Sequence, residues 1–321
     1  MLRLAMTTNS ETFERIQDPL AARGIEVDHV QPTERSLRVA DARGDAVPDS
    51  NSVIDNDATA DSDAVGPSAI RTDFDVGFVY PSRLMEGSVV ATRLSVPWVN
   101  GRDAVVTSRN KAGVLATLDA AGLPTPQTVM VSNPVNESVV ADAVAGFEFP
   151  VVVKPNSATR GVGVAKAADL DSLLGIVDYL NLVHDYRATG DKSYLIQEYL
   201  PDATDYRVMI VDGEYVGAVR RELPTDALEA GRWKHNVHRG ATATGVTLGS
   251  DGRELAERTA AALGISYLGV DLLETEDRFV VNETNARPTV DAATKYESAF
   301  YDRLASLIER TADGNGTTCG T

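Results

Sequence analysis

Cysteine is almost absent. The 321-residue chain has one, Cys319, so no disulfide can close within it and no thiolate cluster can hold a metal. That usage fits a reducing compartment, and MLRLAMTTNSETFERI has too short an apolar run for a secretory signal, so the cytoplasm is the expected location. Long apolar runs are missing as well; none approaches the ~20 residues of a membrane span, and no membrane partner is expected. Positive charge is scarce, with 47 acidic against 30 basic residues and a formal net charge of −17. Such a surface repels phosphate backbones, which argues against nucleic acid as a partner, and it reads as adaptation to high salt, a halophilic trait. Only six of the basic residues are lysine, so the position of each lysine is informative.

What is present reads as an α/β protein of several domains. LRLAMTT, ETFERIQDPLAARG and IEVDHV give strand, helix, strand, with Asn9 or Ser10 as N-cap and Gly24 as the stop. Residues 41–67 lose apolar periodicity and fill with Asp, Ser, Asn and Ala, the pattern of a long exposed loop, after which DVGFVYPSRL resumes as a strand ending at Pro81. Residues 1–99 are thus expected to form a small open α/β domain. TSRNKAGVLATLDAAGLPTP then predicts a helix capped near Ser108 and closed by Gly122 and Pro124. FPVVVKP is a strand, LDSLLGIVDYLNLV a helix and SYLIQEYLP a strand. Asp212-Gly213 marks a hairpin in DYRVMIVDGEYVGAVRREL, and RELAERTAAALG a helix. Strands SYLGVDLLE and FVVNETN and a closing helix, KYESAFYDRLASLIERT, complete the pattern.

Three clusters carry the chemistry. Lys154 ends an apolar strand and is followed by Asn156, Ser157, Ala158, Thr159 and Gly161-Val162-Gly163, where backbone N–H groups and a lysine can meet the same phosphate. The order is neither GxxxxGK[ST] nor GxGxxG, and alone such a loop is more often an ordinary hairpin turn than a nucleotide site. Gln197, Glu198, Tyr199 and Leu200 stand at a strand end where backbone groups can read an adenine edge, with Asp205 near enough for ribose hydroxyls. Asp271 lies inside the apolar strand GVDLLE, costly unless it is paired or binds a cation, and Glu283 and Asn285 share one face of FVVNETN. Together they are hard oxygen donors suited to Mg²⁺; the competing explanation is that Asp271 pairs with a buried arginine. His235 and His238 lack a third ligand nearby and read as pocket or packing residues, with Trp233 as a packing anchor.

Lys111 in RNKAG, Lys154 and its glycine loop, QEYL, DYR, KHNVHRG, GVDLL and NETNARP occur in the order of the ATP-grasp fold. The chain most resembles the RimK-type carboxylate–amine ligases, over roughly residues 100–310. The resemblance implies an α+β ATP-grasp unit of two lobes, residues 100–200 with the glycine-rich lid and 201–311 with the metal site, followed by a flexible tail, 312–321. It implies that Lys111 and Lys154 hold the α- and β-phosphates of ATP under a lid that includes Ser157, Gly161 and Gly163. Gln197, Glu198, Tyr199 and Leu200 would then hold adenine, and Asp205 the ribose. Asp271, Glu283 and Asn285 would bind two Mg²⁺ ions, with Mn²⁺ as an alternative, while Arg207, Lys234, Asn236 and Arg239 line the γ-phosphate and the acyl substrate.

The implied reaction is ADP-forming ligation of an amino acid, glutamate or another, to the carboxyl group of a small molecule or a protein terminus. Relatives commonly assemble as homo-oligomers. A small-molecule kinase and a non-catalytic nucleotide-binding module remain the alternatives. One departure stands out: Arg287 follows Asn285-Ala286 where many relatives have a small residue, and either recognises a carboxylate or pairs with an acidic neighbour.

Overall fold

The computed structural model describes residues 1–33, 39, 73–159, 161–183, 191–235, 237, 240–292 and 295–314. The expected loop 41–67 and Cys319 lie outside them. Three sheets organise the described chain.

The first is parallel, in the order β2–β1–β3, from β1 (Leu2–Met6), β2 (Ile25–His29) and β3 (Val76–Phe78). Helix α1 (Ser10–Ala21) crosses between β1 and β2; its cap is Asn9, whose side chain accepts from the Thr12 amide at 3.1 Å. Strand β3 is far shorter than DVGFVYPSRL suggests. Val79 takes a left-handed φ of 61° and ends it, and α2 (Leu84–Leu94) follows, an element the sequence pattern did not announce.

The helix expected to be capped near Ser108 is two helices, α3 (Arg102–Arg109) and α4 (Lys111–Ala120). Asn110, at ψ 88°, breaks them, and its Oδ1 accepts from the Gly113 amide at 3.0 Å, so the cap lies two residues beyond the expected one. Ser108 instead sits inside α3 and is buried, its hydroxyl accepting from the Ala286 amide at 2.9 Å. Both helices pack on β12, and α4 also packs on α8, so this segment leans on the third sheet.

The second sheet is antiparallel, in the order β4–β7–β5–β6, from β4 (Thr128–Ser132), β5 (Val151–Pro155), β6 (Ala165–Ala167) and β7 (Ser193–Glu198). Helices α5 (Glu137–Ala143) and α6 (Leu170–Val183) accompany it, and Val151, Val153, Leu173, Tyr194 and Ile196 form its own core.

The third sheet, β10–β9–β8–β11–β12, is also antiparallel: β8 (Thr204–Val211), β9 (Glu214–Glu222), β10 (Thr242–Val246), β11 (Tyr267–Glu274) and β12 (Phe279–Asn285). The turn between β8 and β9 has φ of 58° at Asp212 and 78° at Gly213, the left-handed pair its sequence predicts. Short α7 (Thr225–Glu229) precedes β10, and α8 (Ser250–Leu263) ends on Gly264 in a left-handed cap. Helix α9 (Phe300–Ala312) starts five residues later than Lys295, the expected start, and packs on α1, β3 and β8. It carries one continuous core from the first sheet into the third, where Phe78 meets Tyr267 with ring centroids 5.0 Å apart.

Gly217, at φ 148°, lies beside a bulge in β9. A Cβ there would stand 2.8 Å from the Lys295 carbonyl and 2.9 Å from Tyr296 Cα. Both are backbone atoms that cannot rotate away. Gly217→Ala is expected to cost about 2 kcal/mol, read as a lower urea midpoint at unchanged slope.

Candidate active site

The register of the third sheet builds one row of charge. Arg207 on β8 lies opposite Asp271 on β11, and Asp271 lies opposite Glu283 on β12, so all three project from the same face. Asp205, two residues before Arg207, lies opposite Arg221 on β9. Arg207 grips Asp271 with two N–H groups, Nε at 2.7 Å and Nη2 at 2.8 Å, while Arg221 bonds Asp205 Oδ1 with Nε at 2.8 Å and reaches Asp271 Oδ2 at 3.1 Å. Burial alone would push the Asp271 carboxyl up; the two guanidiniums overcome it and hold the group at about 2. For Asp205 burial wins, and its carboxyl sits above the usual range. The buried arginine that the sequence left as the competing partner of Asp271 is therefore present as Arg221, with the half-buried Arg207 beside it. Asp205, expected at a ribose, is engaged by Arg221.

Just beyond this row β12 bulges. Val281 faces Leu272 and Glu283 faces Asp271, which leaves Asn282 as the extra residue. The bulge turns Asn282 toward Lys154 of β5, whose Nζ donates to Asn282 Oδ1 at 3.2 Å, to its carbonyl at 3.4 Å and to Gln197 Oε1 at 2.9 Å. Lys111, at the start of α4, donates to the Ala158 carbonyl, and its Nζ lies 3.2 Å from Glu283 Oε1. Lys111 and Lys154 are 6% and 4% exposed, unusual for lysine unless it serves a partner.

The glycine-rich segment begins at Asn156, whose amide oxygen accepts from the Ala112 backbone at 2.8 Å, and at Ser157, whose hydroxyl donates to Asp191 at 2.7 Å. Gly161 and Gly163 have φ of 65° and 74°, and a Cβ on Gly163 would stand 2.7 Å from the Pro155 ring. At the end of β7, Glu198 accepts from the Gln127 amide at 2.8 Å and from Arg278 at 3.2 Å, so its carboxylate is tied to structure. Tyr199 instead packs with Lys166 and Trp233: Lys166 Nζ is 4.5 Å from its ring centre and 5.6 Å from that of Trp233, and the two rings meet edge to face. Lys234 donates to the Val164 carbonyl. Leu200 follows Tyr199 in the β7–β8 connection and is half-buried. Asn236, His238 and Arg239 lie outside the described residues. Asn285 accepts the Arg287 amide at 2.8 Å, and Arg287 itself, with burial as the first cause and Arg109 as the second, is lowered to about 10.

The sequence missed Arg221, Asn282, Lys166 and Asp191. Arg221 and Asn282 depend on register and on a bulge, which no local pattern announces. Lys166 did carry a signal, because four of the six lysines, 111, 154, 166 and 234, converge on this cleft.

Burial pushes Lys154 down from 10.5 to about 8, with Glu283 opposing. Between those values the unfolded chain binds the extra proton, so stability rises with pH across that window, and the cost of burying the charge is complete below it. In urea titrations from pH 7 to 10, Lys154→Met is expected to start more stable relative to the wild type and to lose that lead as the pH climbs.

Two antiparallel sheets set around buried lysines and preceded by a parallel one make the ATP-grasp fold, and solved structures share this arrangement. One is a RimK domain ATP-grasp protein from Sphaerobacter thermophilus, 22% identical, covering 98% of this chain and 100% of that one, with a TM-score of 0.62. Another is the D-alanine–D-alanine ligase of Bacillus anthracis complexed with ATP, 16% identical, covering 98% of each chain, with a TM-score of 0.63. At these identities the likeness shows the fold alone. The family is narrower: residues 108–303 match the RimK-like ATP-grasp domain, and the chain belongs to that family.

Curated relatives include "Probable alpha-L-glutamate ligase 1" of Shewanella denitrificans, 29% identical over 68% of this chain and 71% of that protein. "Ribosomal protein bS6--L-glutamate ligase" of Salmonella paratyphi B is 29% identical over 67% of this chain and 68% of that one. The chain is an ATP-dependent ligase of the carboxylate–amine class. Among the described residues no helix is long and apolar enough to cross a membrane.

Proposed function

We propose that this enzyme joins an amino acid, glutamate or one like it, to a carboxyl group through an acyl phosphate in the cytoplasm. The observation that carries this reading is the pair of buried lysines set against the row Arg207–Asp271–Glu283, Lys111 paired with Glu283 and Lys154 with Asn282 beside it. A triphosphate laid between them would meet Lys111 and Lys154 on one side and the guanidinium of Arg207 on the other.

The donor set fits Mg²⁺. Asp271 and Glu283 are carboxylates on paired strands and Asn285 adds an amide oxygen two residues on, all hard oxygens. Asp271 accepts three N–H groups from Arg207 and Arg221, which leaves a carboxylate lone pair free. When bound, Mg²⁺ neutralises charge on the phosphates.

The chain's own residues do the rest. Lys154 and Arg207 hold the γ-phosphate while a substrate carboxylate oxygen attacks its phosphorus in line and ADP leaves. The amine then attacks the acyl carbon, phosphate departs with the C–O electron pair, and the amine gives up a proton. Lys234, which donates to the Val164 carbonyl, is the cation proposed for the oxyanion, and Arg239 and Asn236 are proposed to share that role. The loop 156–163 excludes water from the acyl phosphate.

ADP release is measured with ATP, Mg²⁺ and a panel of amino acids and carboxylates in molar salt, with hydroxylamine added. A hydroxamate identified by mass is the expected result. Turnover that yields a stable phosphate ester and no hydroxamate would assign the pocket to a kinase.

A further inference from the structure

Arg287 brings a positive charge to the seam between β12 and the first sheet, where among the described residues no carboxylate meets it. Its Nη1 donates to the carbonyls of Val79 (3.3 Å) and Tyr80, and its Nη2 to that of Thr7 (2.8 Å). A guanidinium has five N–H groups, so Nε–H and a second N–H on Nη2 are left. Nε and Nη2 are the two nitrogens with which Arg207 grips Asp271. The residue is half-buried, and its unpartnered Nε keeps some exposure to solvent.

The surroundings hold this guanidinium in place. Thr7 and Val79 lie at the carboxyl ends of β1 and β3, the end at which open parallel sheets bind ligands. Val79, at φ 61°, is a β-branched residue in a conformation that persists only when neighbours enforce it, and the Thr7 hydroxyl donates to its carbonyl. Arg109 of α3 donates to the Ser82 carbonyl at 3.0 Å on the same loop, near enough for its charge to act on Arg287. Neither arginine has an acidic partner among the described residues. Two like charges on one loop, a strained carbonyl and an unpartnered Nε are more than a staple between two segments needs.

We propose that Arg287, seconded by Arg109, binds a carboxylate of the amino-acid substrate that takes no part in the reaction, either its α-carboxylate or the one on its side chain. This rests on the ligase reading above and gives it a substrate-recognition residue. The site stands two residues from Asn285, so it would hold the substrate at a fixed offset from the phosphates.

Calorimetric titrations in AMP-PNP and Mg²⁺ test the proposal, with L-glutamate, glutamic acid α-amide and L-glutamine as probes. The wild type is expected to bind L-glutamate and to discriminate against one of the amides; the amide that fails identifies the carboxylate held. Arg287→Lys and Arg287→Met should raise the Kd for L-glutamate roughly 10- to 100-fold, the size of a lost charge-assisted pair, and erase the discrimination. Their affinity for AMP-PNP should stay within about twofold of the wild type, the separation expected when only one ligand's contacts are removed.

The proposal is overturned if the wild type binds none of the probes or all alike. It is equally overturned if Arg287→Lys keeps the wild-type Kd, or if both variants lose nucleotide and amino acid together, as a purely structural arginine would require. Glutamate and AMP-PNP binding without any ADP release from ATP would instead sink the ligase reading and leave the carboxylate site standing.

Discussion

Asp271→Asn is expected to abolish turnover and also to lower the stability of the folded enzyme by about 3 kcal/mol, because it leaves buried Arg221 and half-buried Arg207 without a counter-charge. Arg221 and Arg207 have side chains 9% and 30% exposed, and both donate to Asp271. Asparagine would present an NH₂ group to one of them. Asp205 still faces Arg221, which keeps the loss below that of a fully orphaned pair. The measurement is a urea titration read by near-UV circular dichroism beside an ADP-release assay. Adding Arg207→Met to Asp271→Asn should recover part of the stability and none of the turnover, a coupling that a double-mutant cycle detects. A stability loss under about 1 kcal/mol, the level of an exposed pair, would mean that the buried pairs do not form in solution.

This outcome differs from what the sequence suggests. An aspartate inside GVDLLE is legible as a residue that must have a partner, and a metal explains it by itself, in which case the asparagine variant would fold normally. The partners come from β8 and β9, 64 and 50 positions earlier, through the registers Asp271↔Arg207 and Asp205↔Arg221. Register is set by long-range pairing, so a one-residue slip would have sent Arg207 to the other face.

Local signals fared better: the Asn9 cap, the Asp212-Gly213 turn and the period-two placement of Glu283 and Asn285 are properties of a few adjacent residues. Where a rotation of one residue decides the outcome, as at Asn110 between two helices or Val79 at the end of a strand, composition carried no warning. The bulge at Asn282 belongs to the same class, and it turns an otherwise plain strand residue toward Lys154.

Glu283→Gln separates the chemistry from the fold. Glu283 is 36% exposed on its side chain and pairs with Lys111 at 3.2 Å, while Lys111 keeps the Ala158 carbonyl as a second acceptor. Loss of one half-exposed pair changes stability by no more than about 1 kcal/mol. The same substitution removes one of two carboxylates proposed to hold Mg²⁺ and takes negative charge away from Lys111 and Lys154, so kcat should fall roughly 10²- to 10³-fold, the scale of a single lost electrostatic stabiliser. The Mg²⁺ concentration for half-maximal rate should rise in parallel, while ATP affinity in EDTA should increase, since the two lysines lose a competitor for the phosphates. Urea midpoint, kcat, Mg²⁺ dependence and metal-free ATP binding measured on one preparation give four readouts that move differently. If kcat and the Mg²⁺ midpoint both stay at wild-type values while the protein remains folded, Glu283 is a partner of Lys111 alone and the metal site must be sought elsewhere on the sheet.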